Sequence, residues 1–79
     1  MTDAETILIV EDEQQIREAV AMALECEGFN VCQAGTARHA AVQAAAHKPN
    51  LIILDLGLPD RDGVHFIRDF RAWSPTPIL

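Results

Sequence analysis

Two short apolar runs, each ending in acidic residues, are the most regular feature of the hydrophobic pattern. The first run, residues 6–10 (Thr-Ile-Leu-Ile-Val), leads directly into Glu11 and Asp12. The second, residues 50–55 (Asn-Leu-Ile-Ile-Leu-Asp), ends at Asp55. Continuous apolar runs of this length are typical of β-strands covered on both faces, as in the interior of a parallel sheet. The pattern predicts two buried strands that each present carboxylates at the carboxyl end.

A helix is predicted over about Glu13–Glu27, because apolar residues recur there at the i, i+3, i+4, i+7, i+8 spacing of a buried stripe. The members of this stripe are Ile16, Ala19, Val20, Ala23 and Leu24. Gly28 then suits a left-handed cap at the carboxyl end of the helix. The following segment, 29–34, alternates more between apolar and polar residues, which predicts a strand at the border of the sheet.

A second, Ala-rich helix is predicted to continue to about His47. Thr36 suits its N-cap, and Pro49 marks its end because proline disfavours the α region for the residue before it. The apolar pattern predicts a third helix over residues 63–73, and residues 78–79 resemble the beginning of a fourth strand. A strand that stops after two apolar residues leads us to expect that residues 1–79 are the N-terminal two-thirds of a larger domain, with no output domain present.

The alternation of strands and helices predicts an α/β class, a flavodoxin-like doubly wound parallel sheet. Right-handed crossovers place the helices on opposite faces only if the strand order is 2-1-3. The sheet is predicted to be partial, because its fourth strand only begins in this chain. The first and third strands are then neighbours, and Glu11, Asp12 and Asp55 converge at their carboxyl ends. Three ionised carboxylates repel one another unless a cation compensates them. Mg²⁺ prefers such oxygen ligands, and an aspartate beside it can act as a nucleophile that forms an aspartyl phosphate.

Composition narrows the range of functions. The 79 residues carry six Lys and Arg against twelve Asp and Glu, a net charge of −6, which argues against nucleic-acid binding by this segment. No apolar run approaches the ~20 residues of a membrane helix, so a cytoplasmic protein without membrane contact is expected. Cys26 and Cys32 have no metal-ligand spacing, and both are expected to be small buried residues.

The residues resemble those of the receiver domains of two-component response regulators. The resemblance spans the whole chain and rests on two features: the apolar strand that closes on Glu11-Asp12, and the segment 55–63, Asp-Leu-Gly-Leu-Pro-Asp-Arg-Asp-Gly. It implies that Asp55 accepts a phosphoryl group from a sensor histidine kinase, in a phosphoacceptor domain that is not an enzyme. It also implies that Asp12 ligates Mg²⁺ directly, Glu11 through water, and Gly57 through its backbone carbonyl. In the full-length protein the phosphorylation would control transcription.

The resemblance is incomplete in one respect. The family also uses a Ser or Thr after strand 4 and a Lys after strand 5, and the chain of 79 residues has no counterpart of either. Without the rest of strand 4, the third strand would keep an unpaired edge that could pair with a second copy. A phosphorylation-independent interaction or dimerisation module, a homo-oligomer through that edge, is therefore the alternative function.

Two other functions are disfavoured. A calcium loop around Asp60-Arg-Asp62-Gly63 would place apolar Leu58 at its first ligand position. A haloacid-dehalogenase-type hydrolase would need a second Asp two positions after Asp55, where the chain has Gly57. Replacing Asp55 by Asn distinguishes the phosphoacceptor from a purely structural module, because a structural module would tolerate the change.

Overall fold

The computed structural model describes residues 4–54, 67–68, 71 and 76–79. Its helices and strands are β1 (Thr6–Val10), α1 (Gln14–Cys26), β2 (Asn30–Ala34), α2 (Ala37–His47) and β3 (Leu51–Leu54). These five elements confirm the predicted order and lie close to the predicted bounds. Of the predicted third helix, residues 67–68 and 71 are helical, and the remainder lies outside the described residues. No helix in the described part of the chain is long and apolar enough to cross a membrane.

The three strands form a parallel sheet with β1 in the centre, in the order β2-β1-β3. Val10, the last residue of β1, lies opposite Ala34 of β2 and Leu54 of β3. The predicted strand order and the predicted border position of β2 are both confirmed. Because the strands are parallel and in this register, their carboxyl ends meet at one edge of the sheet, which is called the carboxyl edge below.

The outer side of β3 is paired with the end of the chain. Ile78 forms a parallel bridge with Ile52, and three backbone hydrogen bonds accompany it: Ile52 N to Pro77 O (2.9 Å), Leu79 N to Ile52 O (2.7 Å) and Leu54 N to Leu79 O (3.1 Å). The predicted beginning of a fourth strand is confirmed. The expectation of an unpaired β3 edge is wrong, because the short segment 77–79 already uses the outward-facing backbone groups of Ile52 and Leu54.

The two helices cover opposite faces of the sheet. Side chains alternate between faces along a strand, so Leu8 and Val10 face one side while Ile7 and Ile9 face the other. Leu8 and Val10 belong to a buried cluster with Ala37, Ala40 and Ala44 of α2, together with Cys32, Ala34 and Ile52. Ile7 and Ile9 pack with Ala21 of α1, and half-buried Val20, Leu24, Phe29, Val31, Leu51 and Ile53 surround them.

The contact face of α1 is rotated from the predicted stripe. Val20 and Leu24 pack on the sheet as predicted, but the fully buried residue is Ala21. Ile16 is 47% exposed, and Ala19 and Ala23 are also exposed. The apolar arc of this helix is wider than the strip that one sheet face can cover, so its flank remains in solvent.

The helix ends follow the predicted caps. Thr36 Oγ1 accepts a hydrogen bond of 3.1 Å from His39 N and so caps α2. Gly28 follows α1 with φ +94°, in the left-handed region. At the end of α2 the left-handed residue is Lys48, with φ 48°, although its side chain adds a steric penalty that glycine avoids.

The two cysteines occupy different environments. Cys32 is buried in the α2 face of the sheet, as predicted, whereas Cys26 is exposed. The expectation that Cys26 is buried is wrong because Cys26 lies about 200° around α1 from Leu24, on the side of the helix away from the sheet. Burial raises the pKa of the Cys32 thiol above its ordinary value, although a backbone hydrogen bond acts in the opposite direction.

Candidate functional site

The candidate site lies at the carboxyl edge, where β1 ends between its two neighbours. Glu11 follows Val10, and its backbone N–H donates a 3.0 Å hydrogen bond to Ala34 O. The ladder between β1 and β2 therefore extends one residue beyond the strand. On the other side of β1, Leu54 lies in register with Val10 and is the last described residue before Asp55. The register thus aligns the start of the acidic pair with the strand that leads into Asp55.

Glu11 closes the turn between β1 and α1. Its carboxylate Oε2 accepts a hydrogen bond of 3.1 Å from the backbone N–H of Glu13, which is the N-cap residue of α1 and has extended backbone angles. The Glu13 side chain itself makes no capping hydrogen bond to α1. The half-buried Glu11 therefore has a local structural role, and its negative charge lies near the positive end of the α1 dipole, which favours ionised carboxylates.

Asp12 lies in the middle of this turn and is exposed. An exposed carboxylate next to a half-buried one suits Mg²⁺, which keeps several of its waters and binds through one or two protein carboxylates together with substrate oxygens. Both described acids therefore fit the predicted cation in their chemistry. Within the described residues, His, Cys, Asp and Glu nowhere form a group of three or more that could hold a metal ion.

The other predicted site residues cannot be placed. Asp55 and Gly57 lie outside the described residues, as do Pro59 and Gly63 of the predicted phosphoacceptor turn. The same applies to Leu58, Asp60 and Asp62 of the disfavoured calcium loop. The structure thus positions Glu11 and Asp12, and the assignments on segment 55–63 remain predictions.

Arg17 is a residue at this edge that the sequence analysis missed. Its Nη1 donates a 2.9 Å hydrogen bond, in a partly buried position, to the backbone carbonyl of Glu11. Arg17 lies one turn before Val20 and Ala21, on the side of α1 that contacts the sheet. A charged residue in line with the buried positions of a helix is the signal that could have identified it, since burying a charge is costly unless a polar partner meets it.

Three comparisons with known proteins identify the family and the fold of this chain. Residues 7–79 match the family model of the response regulator receiver domain. The KDP operon transcriptional regulatory protein KdpE of Escherichia coli K12 is 55% identical over 73 residues, which is 92% of this chain and 32% of KdpE. The chain thus spans about a third of the length of the curated relatives it matches. The segments 6–17 and 51–60 also resemble the KDP operon regulator in sequence, and the identity with KdpE confirms that narrower resemblance.

Solved structures agree on the fold. The chemotaxis response regulator CheY4 of Vibrio cholerae superposes with a TM-score of 0.91 at 32% identity, over 96% of this chain and 66% of that one. The response regulator TrrA of Thermotoga maritima, solved in complex with Mg²⁺-BeF, superposes with a TM-score of 0.86 at 28% identity, over 94% of this chain and 65% of TrrA. TrrA has also been solved in complex with the histidine kinase ThkA.

Proposed function

Because this chain belongs to the response regulator receiver domain family, we propose that it is the phosphoryl-accepting unit of a two-component signalling protein and that Asp55 is the acceptor. The observation that carries the proposal is the register of Val10 with Leu54. It aligns the acidic turn after β1 with the end of the strand that leads into Asp55. Acceptance of a phosphoryl group on a carboxylate depends on positioning and on charge neutralisation, both of which suit a rigid sheet edge.

The proposed Mg²⁺ ligands are Asp12 directly, Glu11 through water, Asp55, and the backbone carbonyl of Gly57. When bound, the cation would neutralise the charge of the carboxylates and of the incoming phosphoryl oxygens. The protein's own contribution is to hold Glu11 in the β1–α1 turn and to leave Asp12 in solvent, where a hydrated cation can reach it. The structure of the relative TrrA with Mg²⁺-BeF supports this cofactor.

The proposed phosphoryl donor is a sensor histidine kinase, supported by the structure of TrrA with the kinase ThkA. We further propose that the domain is a substrate of that kinase and not an enzyme, and that it works in the cytoplasm. Since the relative KdpE is a transcriptional regulatory protein, the proposed output in a full-length protein is control of transcription. We propose that this segment itself makes no nucleic-acid contact, because its net charge of −6 disfavours binding to phosphates.

The test is the intact mass of the purified chain after incubation with acetyl phosphate and Mg²⁺. We expect one added phosphoryl group in the wild type and in Glu25→Gln, a matched control at an exposed position of α1. We expect none in Asp55→Asn or after chelation of Mg²⁺. An adduct that persists in Asp55→Asn, or no adduct in a sample with a cooperative unfolding transition, would contradict the proposal.

Self-association is the second candidate function. The observation that favours it is Leu79, which pairs through its carbonyl with Leu54 on the outer side of β3 and has an apolar side chain that is 79% exposed. A second copy could extend the sheet from there, because exposed backbone groups at a sheet edge pair readily with another chain. Sedimentation velocity over a hundredfold range of concentration decides the matter, and a monomer at every concentration would rule this candidate out.

A further inference from the structure

Glu11, at the carboxyl edge, is held on both sides by hydrogen bonds between its backbone and other parts of the fold. On its amino side, the N–H of Glu11 donates to Ala34 O at 3.0 Å. On its carboxyl side, the Glu11 carbonyl accepts from Arg17 Nη1 at 2.9 Å. The carbonyl of Glu11 and the N–H of Asp12 belong to one planar peptide group. A bond that fixes the direction of this carbonyl therefore also fixes the direction in which the chain enters Asp12.

The guanidinium of Arg17 lies against the turn between β2 and α2. A Cβ built on Gly35 would lie 3.1 Å from Arg17 Nη1, 3.9 Å from Cζ and 3.9 Å from the Glu11 carbonyl oxygen. Gly35 does not have a positive φ, unlike Gly28, so backbone conformation does not explain its lack of a side chain. The space above Gly35 is the space that the guanidinium occupies.

From these contacts we infer that Arg17 is a positioning residue for the acidic pair: its guanidinium, seated on Gly35, holds the Glu11 carbonyl and so orients Asp12 toward a divalent cation. The inference rests on the proposed function for the identity of that cation. Arg17 and Gly35 then contribute to the site, although neither is a proposed ligand of the cation.

Charge alone predicts the opposite effect. The Arg17 guanidinium is positive, so a purely electrostatic role beside a cation site would weaken Mg²⁺ binding, and removing Arg17 would then strengthen it. Positioning predicts that removing Arg17 weakens Mg²⁺ binding, since partners that orient metal ligands typically contribute about 10- to 100-fold to affinity. The sign of the change therefore separates the two roles.

The first experiment measures Mg²⁺ affinity by calorimetric titration of the full chain. We expect Arg17→Met to raise the Mg²⁺ dissociation constant about tenfold or more, and Arg17→Lys to recover part of the loss. The control is Lys48→Asn, which removes one positive charge at the end of α2 farther from Gly35. Asparagine is chosen because it tolerates the left-handed conformation of this position. The control should leave the affinity unchanged. Tighter binding in Arg17→Met, or an equal loss in the control, would overturn the inference.

The second experiment tests whether Arg17 and Gly35 act as one unit. Gly35→Ala should weaken Mg²⁺ binding by a few fold, because the new methyl group displaces the guanidinium. In the Arg17→Met background it should have no further effect, since the group it displaces is gone. Additive losses in the double variant would show that Gly35 acts independently and would contradict the proposed arrangement.

A third measurement needs no metal. In Mg²⁺-free protein, amide NMR of Arg17→Met should show a shifted and more mobile Asp12 amide while amides of β1 keep their wild-type shifts. An unchanged Asp12 amide would refute the positioning role. If the wild type binds no Mg²⁺, the proposed function fails, and this measurement still decides whether Arg17 orients Asp12. Thermal unfolding of each variant shows separately whether a loss reflects a general loss of stability.

Discussion

The two faces of the sheet are closed in different ways. On the α2 face, Leu8, Val10 and Ile52 are almost completely inaccessible, and the helix that covers them contributes only alanines to the buried cluster. On the α1 face, Ala21 is the only buried residue that the described helix contributes, and larger side chains such as Val20 and Leu24 remain half-buried. Both faces bury the central strand, since Ile7 and Ile9 are also only 4% and 2% exposed, but the face covered by the smaller side chains leaves less of the outer strands exposed.

The difference follows from how closely each helix can approach. Alanine has no atoms beyond Cβ, so the α2 backbone can lie near the sheet and leave no spare volume, as close-packed interiors require. The longer side chains of α1 need more room than alanine does, and one flank of that helix is left in solvent, where Ile16 is 47% exposed. Substitutions should therefore have large effects on the α2 face and small effects on the flank of α1.

The largest effect is expected from removing a buried side chain on the α2 face. Leu8 is 0% exposed, and Leu8→Ala should lower the free energy of unfolding by about 2–5 kcal/mol, the usual sum of lost burial and a residual cavity. The contrasting change is Ile16→Ala on the exposed flank of α1, which should cost about 0.5 kcal/mol or less because the side chain is half in solvent. Urea denaturation measures both. Equal losses would mean that the flank of α1 is as closed as the α2 face.

Enlarging an alanine should have the next largest effect. Ala40 of α2 is 0% exposed, so Ala40→Leu must push the helix from the sheet and should cost about 1–3 kcal/mol. Ala23→Leu makes the same change at an exposed position of α1 and should alter stability by about 0.5 kcal/mol at most. If Ala40→Leu were neutral in the same urea assay, the close approach of α2 could not be the reason why less of the outer strands is exposed on this face.

The sequence predicted the architecture because strand and helix periodicities differ clearly here. The apolar runs of β1 and β3, and the alternation in β2, identified the sheet and its order. The same periodicity did not give the rotation of α1, because alanines at positions 19, 21 and 23 carry almost no information about which side is buried. Nor did it show that Cys26 is exposed, because that depends on the same rotation: Cys26 lies about 200° around the helix from Leu24.

The site was only partly predictable, for a related reason. Glu11 and Asp12 could be located because acids directly after a buried strand must appear at its carboxyl edge. Helix periodicity could have singled out Arg17 as a charged residue in line with buried positions, but it does not predict the partner, because the bond to the Glu11 carbonyl joins residues six apart across a turn. The role of Gly35 depends in turn on Arg17, so it became visible only with the side chains in place.

The ends of the two helices give a smaller contrast. Gly28 after α1 has φ +94° and open space around its missing side chain, so Gly28→Ala should cost about 1 kcal/mol from backbone strain alone. Lys48 after α2 has φ 48° without glycine's freedom, so Lys48→Gly should gain roughly 0.5–1 kcal/mol. Thermal or urea unfolding of both variants tests the pair. Destabilisation by Lys48→Gly would show that the lysine side chain contributes more than its backbone strain costs.

The smallest effect on stability concerns the thiols, which report on the same two surroundings. Cys26 is exposed and should react with a thiol reagent at once, whereas Cys32 is buried and should react only when the α2 face opens.

Burial raises the pKa of Cys32 above its ordinary value of 9.0, so the folded state favours the protonated thiol. This stabilisation is complete below pH 9.0 and is lost as the pH rises through the folded-state pKa, because the unfolded chain releases the proton first. Wild type should therefore lose more stability than Cys32→Ala does as the pH rises above 9.0. Rapid labelling of both thiols in the folded chain would show that the α2 face opens as readily as the flank of α1, and that the contrast between the faces is one of shape and not of stability.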